Sequence, residues 1–274
     1  MNSRFGLALF TTDPAYIRRA VASGVDTIVV DWEHIGKEQR QAHADTQINH
    51  DTLDDLQRVR ASTEANVICR LNRYGATTVG EVEQAVGAGA DEVLLPMVQT
   101  AKEVELVLGL ASGRCGVGIL IETVAAVALA EELAGLPMSR VYVGLNDLAI
   151  ERRTPGIFAA VADGTVERVR APFRIPFGFG GLTLPDRGFP VPSRLLIGEM
   201  VRLGCDFSFL RRSFHRDVQG RDLTVEIPRI LDAILEARRR SPAAVAGDRK
   251  DLETIIEAGR DQVAYAGGSP ANNG

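Results

Sequence analysis

The chain has 274 residues, 45% of them hydrophobic, and a formal net charge of −5. That length is long for one ordinary domain but typical of an α/β barrel at about 250 residues, and the acidic balance argues against nucleic-acid or anionic-membrane binding. No apolar run reaches the ~18 residues of a membrane span, and no signal-peptide pattern opens the chain, so a cytoplasmic protein is expected. Cys69, Cys115 and Cys205 lie far apart in apolar, strand-like contexts without metal-ligand spacing. Buried free thiols in a reducing compartment are the expectation, with a nucleophilic cysteine as the alternative.

Phe5–Thr11 is expected as the first strand. Asp13-Pro14 then opens a helix as N-cap and first turn, and Ser23-Gly24 closes it. Asp26–Glu33 is the second strand, and residues 35–51, rich in Gln, His and Asp, form a long loop with one short helix at most. Leu53–Ser62 is helical and Ala65–Leu71 is the third strand. Helix and strand then alternate: Thr78–Ala88 and Glu92–Pro96, Ala101–Leu110 and Gly116–Ile121, Val124–Leu133 and Val141–Gly144.

After Asp147 the pattern loosens through an Ala-rich helical stretch in 151–170. Arg174–Gly180 is expected as strand seven, entering the turn Gly178-Phe-Gly-Gly181, and Pro185, Pro190 and Pro192 stiffen the loop before the helix Ser193–Leu203. Asp206–Leu210 is strand eight and Leu223–Arg240 the helix that follows. Its Arg238-Arg-Arg240 end suits a helix C-terminus. Asp248–Ala264 adds a further helix, and Gly267–Gly274 is expected to be disordered. Eight strands alternating with helices, without a glycine-rich dinucleotide fingerprint, predict a (β/α)8 TIM barrel over residues 1–240 with an additional C-terminal helical segment over 241–274.

Reactive groups of such a barrel gather where its strands end. Two apolar runs, Gly116–Ile121 and Val141–Gly144, are each followed by an acid, Glu122 and Asp147, and then a helix. Two carboxylates emerging at one rim form a seat for a hard divalent cation. The alternative is that each caps its own helix. Asp31 and Glu33, two apart, project to one side of their strand, and His34 follows. A histidine with a neighbouring carboxylate is a general base, unless it is a surface loop residue. Arg70 ends the apolar strand Val67-Ile-Cys-Arg and needs an anion, either Asp31 or Glu33 or a substrate carboxylate. His43 and His50 carry no assignment. Arg211, Arg212 and His215 make the strand-eight exit basic, read as solvated charge or as a seat for a further anionic group.

Asp31-Trp-Glu33-His34, Arg70-Leu-Asn, Leu95-Pro96-Met-Val, Ile121-Glu122-Thr123 and Gly144-Leu-Asn-Asp147-Leu148 together resemble the ordered motifs of the HpcH/HpaI aldolase and citrate lyase β-subunit family, over residues 5–215. The resemblance implies a metal-dependent carbon–carbon lyase acting on a 4-hydroxy-2-oxo acid through a pyruvate-like enolate and an aldehyde. Glu122 and Asp147 would hold Mg²⁺, with Mn²⁺ or Co²⁺ as alternatives. Arg70 would stabilise the enolate oxygen, the Asp31–His34 pair would move the proton, and Glu33 would orient a metal-bound water or Arg70. It also implies a homo-oligomer, trimer or hexamer. Other readings are a CoA-thioester lyase of the citrate or malyl type, the branch that Lys37-x-x-Arg40 resembles, and a non-catalytic oxo-acid-binding barrel. Leu120 stands where the aldolases commonly carry glutamine.

Overall fold

Nine parallel strands line a nearly closed ring in this computed structural model, which describes residues 4–35 and 50–266, with side chains through residue 259. The first half comprises β1 (Gly6–Phe10), α1 (Pro14–Ser23), β2 (Thr27–Asp31), α2 (Leu53–Ser62), β3 (Asn66–Arg70), α3 (Thr78–Gly87), β4 (Glu92–Leu95) and α4 (Ala101–Ala111). There follow β5 (Gly116–Ile121), α5 (Val124–Ala128), α6 (Ala130–Leu133), β6 (Arg140–Val143), α7 (Leu145–Arg152), α8 (Ala159–Ala162) and α9 (Thr165–Arg170). The last third holds β7 (Phe177–Phe179), β8 (Gly181–Leu182), α10 (Ser193–Arg202), β9 (Phe207–Leu210), α11 (Arg212–Asp217), α12 (Leu223–Arg238) and α13 (Pro242–Ala266).

Local chemistry starts these helices where expected. The Asp13 carboxylate accepts from Ala15 and Tyr16 N–H to cap α1, and Thr52 and Thr100 form capping boxes with Asp55 and Glu103. Lys37, Arg40 and His43, any short helix of 36–49, and the tail 267–274 lie outside the described residues.

The strand order is β7-β6-β5-β4-β3-β2-β1-β9-β8, every pairing parallel. β7 pairs with β6, and β8, one residue further on, pairs with β9. The residue between them is Gly180, at φ +58°. One bent segment thus closes the ring, and the nine labelled strands build the eight walls of the expected barrel.

Strand seven begins three residues later than expected, at Phe177, and runs past Gly180 to Leu182. Pro176 can lend its carbonyl to Val141 N–H but has no N–H of its own for the ladder. The expected helix Val124–Leu133 breaks at Leu129 into α5 and α6. The terminal helix starts at Pro242 rather than Asp248, and it packs back on its own chain. Leu252 and Ile256 are buried, and Arg249 reaches Glu199 of α10 and the carbonyls of Val161 and Ala162.

Strand alternation divides the interior into two cores. One strand face supplies the layer between sheet and helices, including Leu7, Leu9, Val67, Ile119 and Phe179. The other fills the barrel with Ala8, Phe10, Val29, Ile68, Leu94, Leu120, Tyr142, Phe207 and Phe209. Each inner column, followed two residues upward, reaches the C-terminal mouth.

Candidate active site at the barrel mouth

Val29 leads to Asp31, Ile68 to Arg70, Leu120 to Glu122, Tyr142 to Gly144 and Phe209 to Arg211, so the residues above the apolar plug are fixed by period two. Asp31 and Arg70 are register partners on β2 and β3. Arg70 Nε and Nη2 donate to Asp31 Oδ1 and Oδ2 at 2.8 and 2.6 Å, and Nη1 lies 2.8 Å from Glu33 Oε2. Asp31 Oδ1 also accepts from Glu33 N–H at 3.2 Å. All three side chains are buried. Burial alone would lower the Arg70 guanidinium, but the charges of Asp31 and Glu33 outweigh it and hold Arg70 above its ordinary value. Both carboxylates suggested as its partners are therefore engaged.

His34 is exposed on the loop after β2, 5.9 Å ring to ring from His50. Its backbone N–H and that of Ile35 donate to Asn72 Oδ1, and Asn72 is itself held by Glu81. Asp31, expected to orient the imidazole, is taken up by Arg70. The His34 ring instead places Nδ1 2.8 Å from the Trp32 carbonyl. A carbonyl only accepts, so Nδ1 carries the proton in the neutral ring and Nε2 keeps the lone pair, the tautomer a base requires.

Glu122 and Asp147 are both buried at the mouth, on β5 and in the first turn of α7. Neither is the N-cap of its helix: Thr123 caps α5, and Gly144 precedes α7. Glu122 Oε1 accepts from Met97 N–H at 2.9 Å, and Met97 adopts φ +54°, a left-handed conformation uncommon for a side-chain-bearing residue. A Cβ added to Gly144 would lie 2.3 Å from Glu122 Oε2, so only glycine leaves room for that carboxylate. Burial, then the Asp147 and Glu33 charges, push Glu122 up to about 8, against the pull of Arg70 and the Met97 N–H.

Buried hard oxygen donors that repel one another fit a hard divalent cation. Among the described residues no group of three or more His, Cys, Asp or Glu stands in a metal-holding arrangement. Glu122 and Asp147 are the carboxylates that would hold such an ion, with water or substrate oxygens completing the shell.

Several contributors escape sequence reading. Asp51 accepts the Asp31 N–H at 2.8 Å, and the Phe10 ring lies 5.5 Å from the Arg70 guanidinium and 4.4 Å from that of Arg211. Gly144 and Met97 stand in motifs of the family resemblance, but their contacts with Glu122 were not readable, because each arises from a neighbouring strand. Leu120 is buried in the apolar plug beneath Glu122. His215 holds the Phe10 carbonyl through Nε2 at 2.7 Å, and burial lowers its pKa. Burial raises all three thiols, Cys69, Cys115 and Cys205, which gives none of them the character of a nucleophile.

A parallel barrel with acids, an arginine and a histidine at its C-terminal mouth has the architecture of a barrel enzyme. The chain belongs to the HpcH/HpaI aldolase/citrate lyase family, whose profile matches residues 4–157. No curated protein matches. Among solved structures the chain is similar to RipC from Yersinia pestis, at 14% identity and a TM-score of 0.54, covering 88% of this chain and 98% of that one. It is also similar to citrate synthase SbnG, at 19% identity and a TM-score of 0.56, covering 89% and 95%. At these identities the likeness shows the fold. No described helix is long and apolar enough to cross a membrane.

Proposed function

We propose that this protein is a divalent-metal-dependent aldol lyase, which cleaves or forms a 4-hydroxy-2-oxo acid through a pyruvate-like enolate and an aldehyde. The observation that supports the reading is the buried Glu122, seated against Gly144 and repelled by the Asp147 charge, in the same mouth as the locked Arg70. Mg²⁺, or Mn²⁺ or Co²⁺ in its place, would supply Lewis-acid polarisation of the keto and carboxylate oxygens.

The chain's own residues do the rest. Glu122 and Asp147 hold the cation. Arg70 donates two of its five N–H groups to Asp31 and sets Nη1 in an ion pair with Glu33, and the rest of its edge serves an oxygen that gains charge as the carbon–carbon bond breaks. Asp31 and Glu33 position that guanidinium. Nε2 of His34, with its tautomer set by Trp32, takes the proton of the substrate hydroxyl as cleavage begins and returns it in the synthetic direction.

The test is exchange of pyruvate methyl protons in D₂O, which reads enolisation without the correct aldehyde. Exchange above the enzyme-free control is expected with Mg²⁺. It should be abolished by EDTA and reduced at least ~100-fold in Glu122→Gln, on the scale of losing one preorganised electrostatic contact. Absence of exchange in the wild type with Mg²⁺, Mn²⁺ and Co²⁺ alike would overturn the proposal.

A further inference from the structure

The chain leaves β2 at His34 and returns beside it at His50. The return is stitched to the strand end at two points: Asp51 Oδ2 accepts the Asp31 N–H at 2.8 Å, and the Trp32 indole donates to the Thr52 carbonyl at 3.1 Å. Thr52 then caps α2. On the outgoing side, Asn72 Oδ1 accepts the backbone N–H groups of His34 and Ile35 at 3.0 and 2.9 Å. Both imidazoles therefore hang from anchored backbone. They are exposed, with ring centres 5.9 Å apart and planes inclined at 47°.

Two rings that share one ion through metal–nitrogen bonds of about 2.0–2.1 Å hold their centres about 5–6 Å apart. The spacing of His34 and His50 falls in that range. His34 also makes the outer contact that metal-bound histidines commonly make. Its Nδ1–H donates to the Trp32 carbonyl, which fixes the ring and leaves Nε2 as the ligand. Among the described residues no third His, Cys, Asp or Glu joins the pair in a metal-holding group, so water would fill the remaining positions.

We infer that His34 and His50 form a second metal site, which takes one nitrogen-preferring divalent ion such as Zn²⁺, Ni²⁺ or Cu²⁺, and that filling it silences the His34 base. Imidazole suits these ions, whereas carboxylate and water suit Mg²⁺ and Mn²⁺. The mouth then sorts ions by ligand chemistry, with oxygen at Glu122 and Asp147 and nitrogen at the histidine pair. The two uses of His34 Nε2 exclude each other, because its single lone pair either takes a substrate proton or binds the ion. The site itself stands on the geometry of the pair, and its inhibitory effect rests on the aldol reading.

The site is tested by calorimetric titration of Ni²⁺ onto the untagged chain in excess Mg²⁺. The wild type should bind one ion per chain. The affinity should fall at least ~10-fold in His50→Ala, where a ligand is lost, and stay the same in Glu122→Gln. No Ni²⁺ binding, or equal affinity in the wild type and His50→Ala, would overturn the site. An equal loss in Glu122→Gln would also overturn it, by assigning the ion to the carboxylates.

The inhibitory effect is read by pyruvate exchange at fixed Mg²⁺. Ni²⁺ should stop exchange in the wild type at the concentrations that fill the site, and His50→Ala should need at least ~10-fold more for half-inhibition. Full exchange with the site filled would overturn the silencing of His34. If the wild type exchanges nothing even without Ni²⁺, the aldol reading falls, and the titration still decides the site.

Discussion

Arg70 shows how one residue couples folding to chemistry. Its charge is buried, and the fold cancels it with Asp31 across the β2–β3 register and with Glu33 beyond the strand end. Arg70→Met should therefore cost about 3–5 kcal/mol in urea unfolding, because two carboxylates are left buried without their cation, besides removing pyruvate exchange. Gly144→Ala probes the opposite corner. The new methyl group would stand where Glu122 Oε2 now lies, so Glu122 must turn aside. Calorimetric Mg²⁺ affinity is expected to fall at least ~10-fold, in line with disturbance of a ligand's supporting contacts. Unchanged affinity would show that Glu122 is not a ligand. Asp31, Glu33 and Arg70 were legible because charge at the end of an apolar strand has no bland explanation. Phe10 and Gly144 were not, since their roles arise from register across the barrel, and a single chain read along its length does not contain that register.

At the scale of elements, capped helices and buried strands were read almost to the residue, because each signal is local. β3 and β5 are bounded by changes from polar to apolar residues, and α2 and α4 by their capping boxes. The closing segment was not readable in the same way. Its two halves serve different neighbours, and the switch at Gly180 needs a positive φ that no periodicity announces. Asp147 was expected at a strand end, yet it sits in the first turn of α7, where the helix N-terminus also favours its charge. Gly178 carries the test of closure. A Cβ there would lie 2.4 Å from the Phe207 carbonyl oxygen, so Gly178→Ala must push β7 and β9 apart. A loss of about 1–3 kcal/mol is expected in chemical denaturation, the scale of an overpacked core. A smaller loss would mean that the seam yields easily.

For the whole molecule, the C-terminal segment proves to be part of one packed body. Arg249 ties α13 to Glu199 on α10 and to two carbonyls at α8, and Leu252 and Ile256 lie buried beneath it. Arg249→Ala should cost about 1–3 kcal/mol and speed proteolysis within α13 while leaving pyruvate exchange intact, since the contact is remote from the mouth. Loss of exchange in that variant would tie the segment to catalysis.

The inner columns carry a broader consequence. Directly beneath the mouth their residues are apolar and packed together, with the Arg140–Glu92 ion pair one layer further down, and the candidate site occupies the last position of several columns. Such a vessel can be refitted for another substrate at its lip, while its walls stay as they are. Arg70 is the exception: bolted to two carboxylates, it cannot be exchanged alone, so its side of the lip is held more rigidly than the rest.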